Sequence, residues 1–232
     1  MNRNVEPPVP SPQSPVPIKI KICGLFREQD IDYVNSARPD YAGFVFAESK
    51  RQVSPALAAG LRRRLSDGII PVGVFVNAPV SDIASLYNGN VISIAQLHGA
   101  EDGDYINRLK EASAIEGKKP IEVIKTVKAS PLPTPTLLAP PHSLLPSSAD
   151  YYLIDSGAGS GKTFNWELLN SPAMSAIKTK PWFLAGGVSV DNIEEAMGFK
   201  PFAIDVSSGA ETNGIKDPEK IVQLVSTVHK GK

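Results

Sequence analysis

Hydrophobic and polar side chains alternate strictly along residues 18–24, which read Ile-Lys-Ile-Lys-Ile-Cys-Gly. Successive side chains of a β-strand point to opposite faces, so the isoleucines would line one face, and the two lysines and Cys23 the other. Gly24 directly follows the cysteine and ends the pattern. The pattern therefore predicts a strand that carries Cys23 at its carboxyl end, where barrel and open α/β proteins place their active sites.

Short apolar segments recur along the rest of the chain and predict seven further strands. With the first, the predicted strands cover 18–24, 41–46, 71–76, 94–98, 121–127, 151–155, 182–185 and 202–206. Helical patterns lie between most of them, over 28–37, 55–65, 81–87, 104–114, 191–198 and 218–229. Pro39 favours an end to the first helix, while Ser54 and Pro55 suit the cap and the first turn of the second.

Eight strands that alternate with helices, about 25 residues apart, predict a single-domain α/β protein of the (β/α)8 TIM-barrel class. That fold usually takes roughly 250 residues, and this chain has 232. An open, doubly wound parallel sheet is the competing architecture, but it normally contains fewer strands at this length.

Two proline-rich segments interrupt the regular pattern. Residues 1–17 contain six prolines and few large apolar side chains, a composition that favours a disordered arm or linker. Six more prolines lie within 129–149 and exclude a regular helix there, so we expect the fifth helix to be degenerate or replaced by a surface loop. The chain thus divides into an arm over 1–17 and a barrel domain over 18–230.

Composition narrows the range of functions. The 24 basic and 24 acidic side chains leave no net charge, so we expect a small ligand rather than nucleic acid or an anionic membrane surface. The single cysteine allows no internal disulfide, and no Cys/His cluster has the spacing of a metal site. The sequence shows neither an apolar segment long enough to span a membrane nor a signal-peptide core, which predicts a cytoplasmic protein.

Cys23 is a candidate for chemistry because Lys21 precedes it by two residues on the same predicted face. A nearby ammonium favours the thiolate, so Lys21 is expected to lower the cysteine pKa and to suit the thiol to act as a base. Packing is the alternative role, since free cysteines are commonly buried and inert.

Two aspartates end other predicted strands, Asp155 in Tyr-Tyr-Leu-Ile-Asp and Asp205 in Phe-Ala-Ile-Asp. In a barrel both would lie at the same mouth as Cys23, where the surroundings can set one group as acid and another as base. A helix cap or a turn residue is the alternative role for each aspartate.

Glycine-rich segments follow the last three predicted strands. Residues 157–163 resemble a nucleotide-binding phosphate loop, but Ser156 stands where that pattern requires glycine, so an active-site lid is the favoured interpretation. Residues 184–188 and 207–211 occupy the two loops in which TIM barrels often bind phosphate through backbone N–H groups. Together these two loops predict a phosphorylated substrate, although tight turns would use the same residues.

With these features in place, residues from about 18 to 229 resemble the phosphoribosylanthranilate isomerase family of tryptophan biosynthesis. The resemblance rests on these motifs: Lys21-Ile-Cys-Gly24, Gly43-Phe-Val-Phe46, Lys50-Arg51 with Ser54-Pro55, Val72-Gly-Val-Phe-Val-Asn77, Gln96-Leu-His-Gly99, Gly159-Ser-Gly-Lys-Thr-Phe164, Ala185-Gly-Gly187 and Asp205-Val-Ser-Ser-Gly209. The proline-rich arm and segment 129–149 fall outside the resemblance.

The resemblance implies an Amadori rearrangement, without metal or cofactor, of N-(5-phosphoribosyl)anthranilate to 1-(2-carboxyphenylamino)-1-deoxyribulose 5-phosphate. It implies that Asp155 is the general acid that opens the ribose ring and that Cys23 is the general base that removes the C2 proton. Arg51 would bind the anthranilate carboxylate, a planar fork facing a planar anion. Two further residues would line the substrate site, His98 and Asp205. The implied phosphate-binding residues are Gly186, Gly187, Ser208 and Gly209.

Two alternatives remain open at this point. The histidine-pathway isomerases perform the same rearrangement on a related aminoaldose, but they carry an aspartate where this chain has Cys23, and Arg51 suits a carboxylated aromatic. A catalytically silent barrel that only binds phosphate esters is an alternative of another class, against which the pair of Cys23 and Asp155 argues. The family resemblance also makes the proline-rich arm a candidate tether or fusion point to another tryptophan-pathway activity.

Overall fold

The computed structural model of the chain describes residues 17–128, 145–155, 169 and 177–231. Three predicted features lie partly or wholly outside these residues: the arm as far as residue 16, the proline-rich segment over 129–144, and the glycine-rich segment 157–163. All eight predicted strands and the nine candidate site residues lie within the described part of the chain.

Eight parallel strands close into a barrel in which each strand pairs with the next along the chain and β8 pairs with β1. The strands are β1 Lys19–Cys23, β2 Tyr41–Val45, β3 Ile70–Phe75, β4 Ile94–Leu97, β5 Glu122–Lys128, β6 Tyr151–Asp155, β7 Trp182–Ala185 and β8 Ala203–Val206. Each lies within one residue of its predicted bounds, and the (β/α)8 TIM-barrel prediction is confirmed. The carboxyl ends of all eight strands therefore meet at one mouth.

The described residues also contain six α-helices: α1 Glu28–Ala37, α2 Pro55–Arg64, α3 Val80–Asn88, α4 Gly103–Ser113, α5 Ile193–Gly198 and α6 Pro218–Lys230. Ser54 caps α2 as predicted, because its side chain accepts a hydrogen bond from the backbone N–H of Leu57. Residues 145–150, the described part of the connection into β6, form turns and bends without a helix. None of these six helices is long and apolar enough to cross a membrane.

A short antiparallel hairpin follows β8 and was not predicted. Its strands are β9 Glu211–Thr212 and β10 Ile215–Lys216. Asn213 and Gly214 connect them with φ angles of 53° and 78°, as in the tight two-residue turns that join antiparallel strands. Strands of two residues are too short to show a period, so the Asn-Gly pair was the available sequence signal.

The two faces of the strands belong to different layers. Ile20 and Ile22, on the outer face of β1, are fully buried in the core that the sheet shares with the helices. Tyr41 and Phe183 face inward and belong to a separate apolar cluster inside the barrel. Cys23 lies nearer the carboxyl end of its strand, so the polar site is built above an apolar floor.

Candidate active site

Cys23 lies at the carboxyl end of β1 and is 7% exposed. Its register partner on the neighbouring strand β2 is Gly43. A Cβ atom at Gly43 would stand only 2.7 Å from the cysteine Sγ, closer than two such atoms approach, so glycine is what leaves room for the sulfur. The location of Cys23 agrees with the sequence prediction, whereas the function of Gly43 was not predicted.

Lys21, two residues before the cysteine, is fully buried. Its Nζ donates hydrogen bonds to Asp205 Oδ2 at 2.9 Å and to Gln96 Oε1 at 2.7 Å. The other oxygen of that aspartate, Oδ1, is buried and has no hydrogen-bond partner among the described residues. A buried acceptor without a donor is costly, so Asp205 can accept one more hydrogen bond, as expected of a residue that lines a ligand site.

The electrostatic surroundings of Cys23 differ from the sequence expectation. Burial raises the pKa of the thiol, the Lys21 ammonium lowers it, and the Asp205 carboxylate raises it again. The effect of Lys21 has the predicted direction, but burial outweighs it, and the net result is a pKa above the ordinary value of 9.0. The cost of removing a thiolate from water exceeds the attraction of an ammonium that Asp205 already pairs. Burial therefore favours the protonated thiol of Cys23 over the thiolate at neutral pH.

His98, directly after β4, contacts the candidate acid at the end of β6. Its Nε2 lies 3.1 Å from Asp155 Oδ2, and its Nδ1 lies 3.4 Å from Gln96 Nε2 and 3.3 Å from Thr126 Oγ1. Lys21 can only donate, so it fixes Gln96 with its oxygen toward the lysine and its NH₂ toward His98. Nδ1 of His98 is then the acceptor, so the ring proton is on Nε2, the atom in contact with Asp155 Oδ2.

These contacts form one chain of polar contacts across the inside of the barrel. Its members, in order, are Asp205, Lys21, Gln96, His98 and Asp155. Strands β8, β1, β4 and β6 supply them, so side chains far apart in the sequence are held in fixed orientations relative to one another. The chain joins the buried pair of Lys21 and Asp205 to the candidate acid at the end of β6.

Arg51 lies beyond β2, and its guanidinium already holds a carboxylate of the protein. Nε and Nη2 of Arg51 donate to Glu211 Oε1 and Oε2, each at 2.7 Å, and Lys216 Nζ lies 2.5 Å from the same Oε1. Burial raises the pKa of Glu211, but the bonds from Arg51 and Lys216 lower it by more than burial raises it. The net pKa is therefore below the ordinary 4.5. Glu211 was not predicted as a site residue. Its position at the end of the glycine-containing segment 207–211 was the sequence feature that could have indicated it.

The loops after β7 and β8 lie against each other. Gly186 and Gly187 have φ angles of 88° and 71°, and an isolated parallel bridge joins this loop to Gly209. A Cβ atom at Gly209 would stand 1.9 Å from the carbonyl oxygen of Val188, so the approach of the two loops requires glycine. Ser208 is exposed beside it. The four predicted phosphate-binding residues thus lie in two adjacent loops.

The mouth of the barrel therefore combines a thiol, a carboxyl group held by a histidine, an arginine and a pair of glycine-containing loops. A base and an acid at separate positions suit proton transfer at two different atoms of one bound molecule. Within the described ranges, no three side chains of His, Cys, Asp or Glu are grouped so that they could hold a metal ion.

Comparison with known proteins places this architecture in one family. The family model "N-(5'phosphoribosyl)anthranilate (PRA) isomerase" matches residues 20–227. The N-(5'-phosphoribosyl)anthranilate isomerase of Endomicrobium trichonymphae is 44% identical over 213 residues, which cover 89% of this chain and 96% of that protein. The isomerase of Clostridium acetobutylicum is 38% identical over 226 residues, or 93% of this chain and all of that protein, a coverage of 100%.

Solved structures agree in fold. The phosphoribosyl anthranilate isomerase from Thermus thermophilus superposes with a TM-score of 0.75 at 27% identity, over 93% of this chain and 100% of that one. A second phosphoribosyl anthranilate isomerase was solved in complex with reduced 1-(o-carboxyphenylamino)-1-deoxyribulose 5-phosphate. It superposes with a TM-score of 0.71 at 27% identity, over 92% of this chain and 99% of that one.

Proposed function

The chain belongs to the N-(5'-phosphoribosyl)anthranilate isomerase family, and we propose that Cys23 and Asp155 carry out the two proton transfers of its reaction. The reaction is an aldose–ketose isomerisation in tryptophan biosynthesis. It is the Amadori rearrangement of N-(5-phosphoribosyl)anthranilate to 1-(2-carboxyphenylamino)-1-deoxyribulose 5-phosphate. The substrate is a small phosphorylated molecule.

Asp155 is the proposed general acid. Its carboxyl group gives a proton to the furanose ring oxygen, the C1–O bond breaks, and the nitrogen lone pair forms the protonated Schiff base. The contact of 3.1 Å between His98 Nε2 and Oδ2 holds the carboxyl group in one orientation, which positions the proton before the ring opens. His98 thus orients the acid without transferring a proton to the substrate.

Cys23 is the proposed general base. Its sulfur removes the proton from ribose C2, the C2–H electron pair moves toward the protonated imine, and the resulting enolamine tautomerises to the ketone. Burial raises the pKa of this thiol, so its proton must pass to solvent water before the sulfur can act as a base. The protonated imine brings a positive charge next to the sulfur, which favours the thiolate at this stage.

The remaining site residues are proposed to bind the substrate. Arg51 pairs with the anthranilate carboxylate through the N–H groups that Glu211 does not use. Asp205 Oδ1, a buried acceptor with no partner among the described residues, accepts a hydrogen bond from a ribose hydroxyl. The phosphate is held at the loops after β7 and β8 by Gly186, Gly187, Ser208 and Gly209.

One observation carries this assignment: the thiol and the carboxyl group stand at the carboxyl ends of β1 and β6 in a single closed barrel, and polar contacts through Gln96 and His98 join the buried Lys21 on the cysteine's strand to the carboxyl group. The test is fluorescence-monitored conversion of freshly generated phosphoribosylanthranilate by the wild-type protein, Cys23→Ala and Asp155→Asn. Each variant should lose about 10²- to 10⁴-fold in kcat with an unchanged circular-dichroism spectrum. Full activity in either variant removes that residue from the mechanism.

We also propose that residues 18–230 are the catalytic domain, that the protein works in the cytoplasm, and that the proline-rich arm over 1–17 tethers it to another tryptophan-pathway activity. The arm's composition supports a linker. The mass and the cell fraction of the endogenous polypeptide, measured by immunoblotting of a fractionated cell extract, test the last two points, and the activity of a chain truncated to residues 18–230 tests the first.

A further inference from the structure

Glu211 holds the guanidinium of Arg51 from one side with both carboxylate oxygens. We infer that Glu211 is a positioning residue for the isomerase reaction: it aims the remaining N–H groups of Arg51 at the carboxylate of the substrate's anthranilate ring. The inference rests on the proposed function, because it requires that Arg51 binds that carboxylate. Glu211 itself acts through the arginine.

Glu211 determines which N–H donors of Arg51 remain available to a ligand. A guanidinium has five N–H groups in a planar fork. Glu211 takes one from Nε and one from Nη2 of Arg51, so three remain, two on Nη1 and one on Nη2. Those three lie on the outer edge of the fork, whose shape matches a second carboxylate in a bidentate pair. Glu211 thus selects which edge of Arg51 is presented.

The net charge of Arg51, Glu211 and Lys216 favours the binding of a second anion. A carboxylate paired with Arg51 would by itself neutralise the arginine and weaken its hold on a second anion. Lys216 prevents this, since its Nζ lies 2.5 Å from Glu211 Oε1. Two cations and one anion leave the group with a net positive charge. Lys216 is 2% exposed and also donates to Ser207 O at 2.9 Å, which ties the β9–β10 hairpin to the loop after β8.

The side chains of Glu211 and Arg51 are both held rigidly in place. The side chain of Glu211 is 4% exposed, and its backbone oxygen accepts a bond of 2.8 Å from Lys220 Nζ. On the other side of the arginine, a Cβ atom at Gly24 would stand 2.4 Å from Arg51 Cδ, so the arginine packs directly on the backbone after Cys23. Arg51 is therefore held between β1 and the hairpin, and Glu211 fixes its rotation within that space.

The experiment measures how tightly Glu211→Gln binds two inhibitors. One is reduced 1-(o-carboxyphenylamino)-1-deoxyribulose 5-phosphate, and the other is the same compound without the ring carboxylate. We expect Glu211→Gln to weaken binding of the carboxylated inhibitor about tenfold, the scale of one charge-assisted hydrogen bond, and to leave binding of the second inhibitor unchanged. KM should rise by a similar factor, with a smaller change in kcat. Glu211→Asp, which keeps the charge but is too short to reach both nitrogens, should behave likewise.

Two further variants complete the test. Asp30→Asn is the matched control, because Asp30 is another buried carboxylate that receives Nε and Nη2 of an arginine, Arg27; both inhibitors should bind it as they bind the wild type. The double variant Arg51→Ala/Glu211→Gln should bind the carboxylated inhibitor no more weakly than Arg51→Ala alone. Equal weakening of both inhibitors by Glu211→Gln, no weakening of either, or additive losses in the double variant would overturn the inference. If Arg51→Ala itself leaves the carboxylated inhibitor unaffected, the proposed function of Arg51 has failed instead.

Discussion

His98 Nε2 lies 3.1 Å from Asp155 Oδ2, and the side chains are 26% and 23% exposed. The contact reaches solvent, as expected of groups that must meet a substrate, and it lies at the end of the chain of polar contacts that begins at Asp205. Because Gln96 fixes the histidine tautomer, the protein determines which ring nitrogen faces the carboxyl group. The orientation of the candidate acid is therefore built into the fold before the substrate binds.

The first prediction tests this orientation through His98→Gln. Loss of the contact with Asp155 should lower kcat about tenfold while KM changes less, since the carboxyl group remains but is no longer held. Steady-state kinetics on phosphoribosylanthranilate measures both constants. His229→Gln is the control, because His229 Nε2 lies 3.2 Å from Asp40 Oδ2 outside the site; an equal loss of kcat in both variants would show that His98 has no special role.

The second prediction concerns the raised pKa of Cys23. In the folded protein without substrate, alkylation of this single cysteine by iodoacetamide should be slower at pH 7 than alkylation of glutathione, and its rate should still be rising above pH 9.0, the ordinary thiol value. The rate is read from the mass shift of the intact protein between pH 6 and pH 11. The urea-unfolded protein should return to an ordinary thiol profile. A midpoint below 9.0 in the folded protein would mean that the Lys21 ammonium outweighs burial.

The third prediction uses the close approach of the loops after β7 and β8, where we propose that the phosphate binds. Gly209→Ala would place a Cβ atom 1.9 Å from Val188 O and 2.8 Å from Ser189 Cα, so the loops must separate. We expect KM to rise about tenfold or more, because the phosphate site is lost, and stability to fall by about 1–3 kcal/mol. Gly198→Ala is the matched control, since its Cβ would meet nothing within 4 Å. An unchanged KM in Gly209→Ala would place the phosphate elsewhere.

The fourth prediction concerns stability in acid. Glu101, whose side chain is 1% exposed, accepts bonds from Lys125 Nζ at 2.8 Å and from the backbone N–H groups of Asn77 and Gly99 at 2.7 Å and 2.9 Å. Burial raises the pKa of Glu101, but these bonds lower it by more than burial raises it. The net pKa is therefore below 4.5. The stabilisation is thus complete above pH 4.5 and is lost as the pH falls through the lower folded-state pKa.

The measurement for this fourth prediction is the free energy of unfolding in urea between pH 2 and pH 7. Glu101→Gln should cost about 3 kcal/mol at pH 7, because it leaves a buried Lys125 without its anion, and the gap to the wild type should narrow below pH 4.5. Glu116→Gln, at an exposed position, should follow the wild-type curve. A constant gap at all pH values would show that Glu101 does not titrate in this range.

The architecture could be predicted from the sequence because it depends on local repetition. A short apolar or alternating segment predicts each strand, and the order of eight such segments with intervening helices fits few folds. Cys23, Asp155 and Asp205 could be placed at strand ends for the same reason. The hairpin β9–β10 was missed because strands of two residues carry no period.

The sequence by itself determined the barrel, the identity of the groups at its mouth and, through family motifs, the reaction. Only the tertiary structure decided how those groups act on one another: the pairing of Arg51 with Glu211 across 160 residues, of Lys21 with Asp205 across 184, and of Lys21 with Gln96 across 75. It also decided that burial outweighs Lys21 in the net pKa shift of Cys23. Strand formation follows from the order of neighbouring residues, whereas hydrogen bonds and desolvation depend on distances through space that no local pattern encodes.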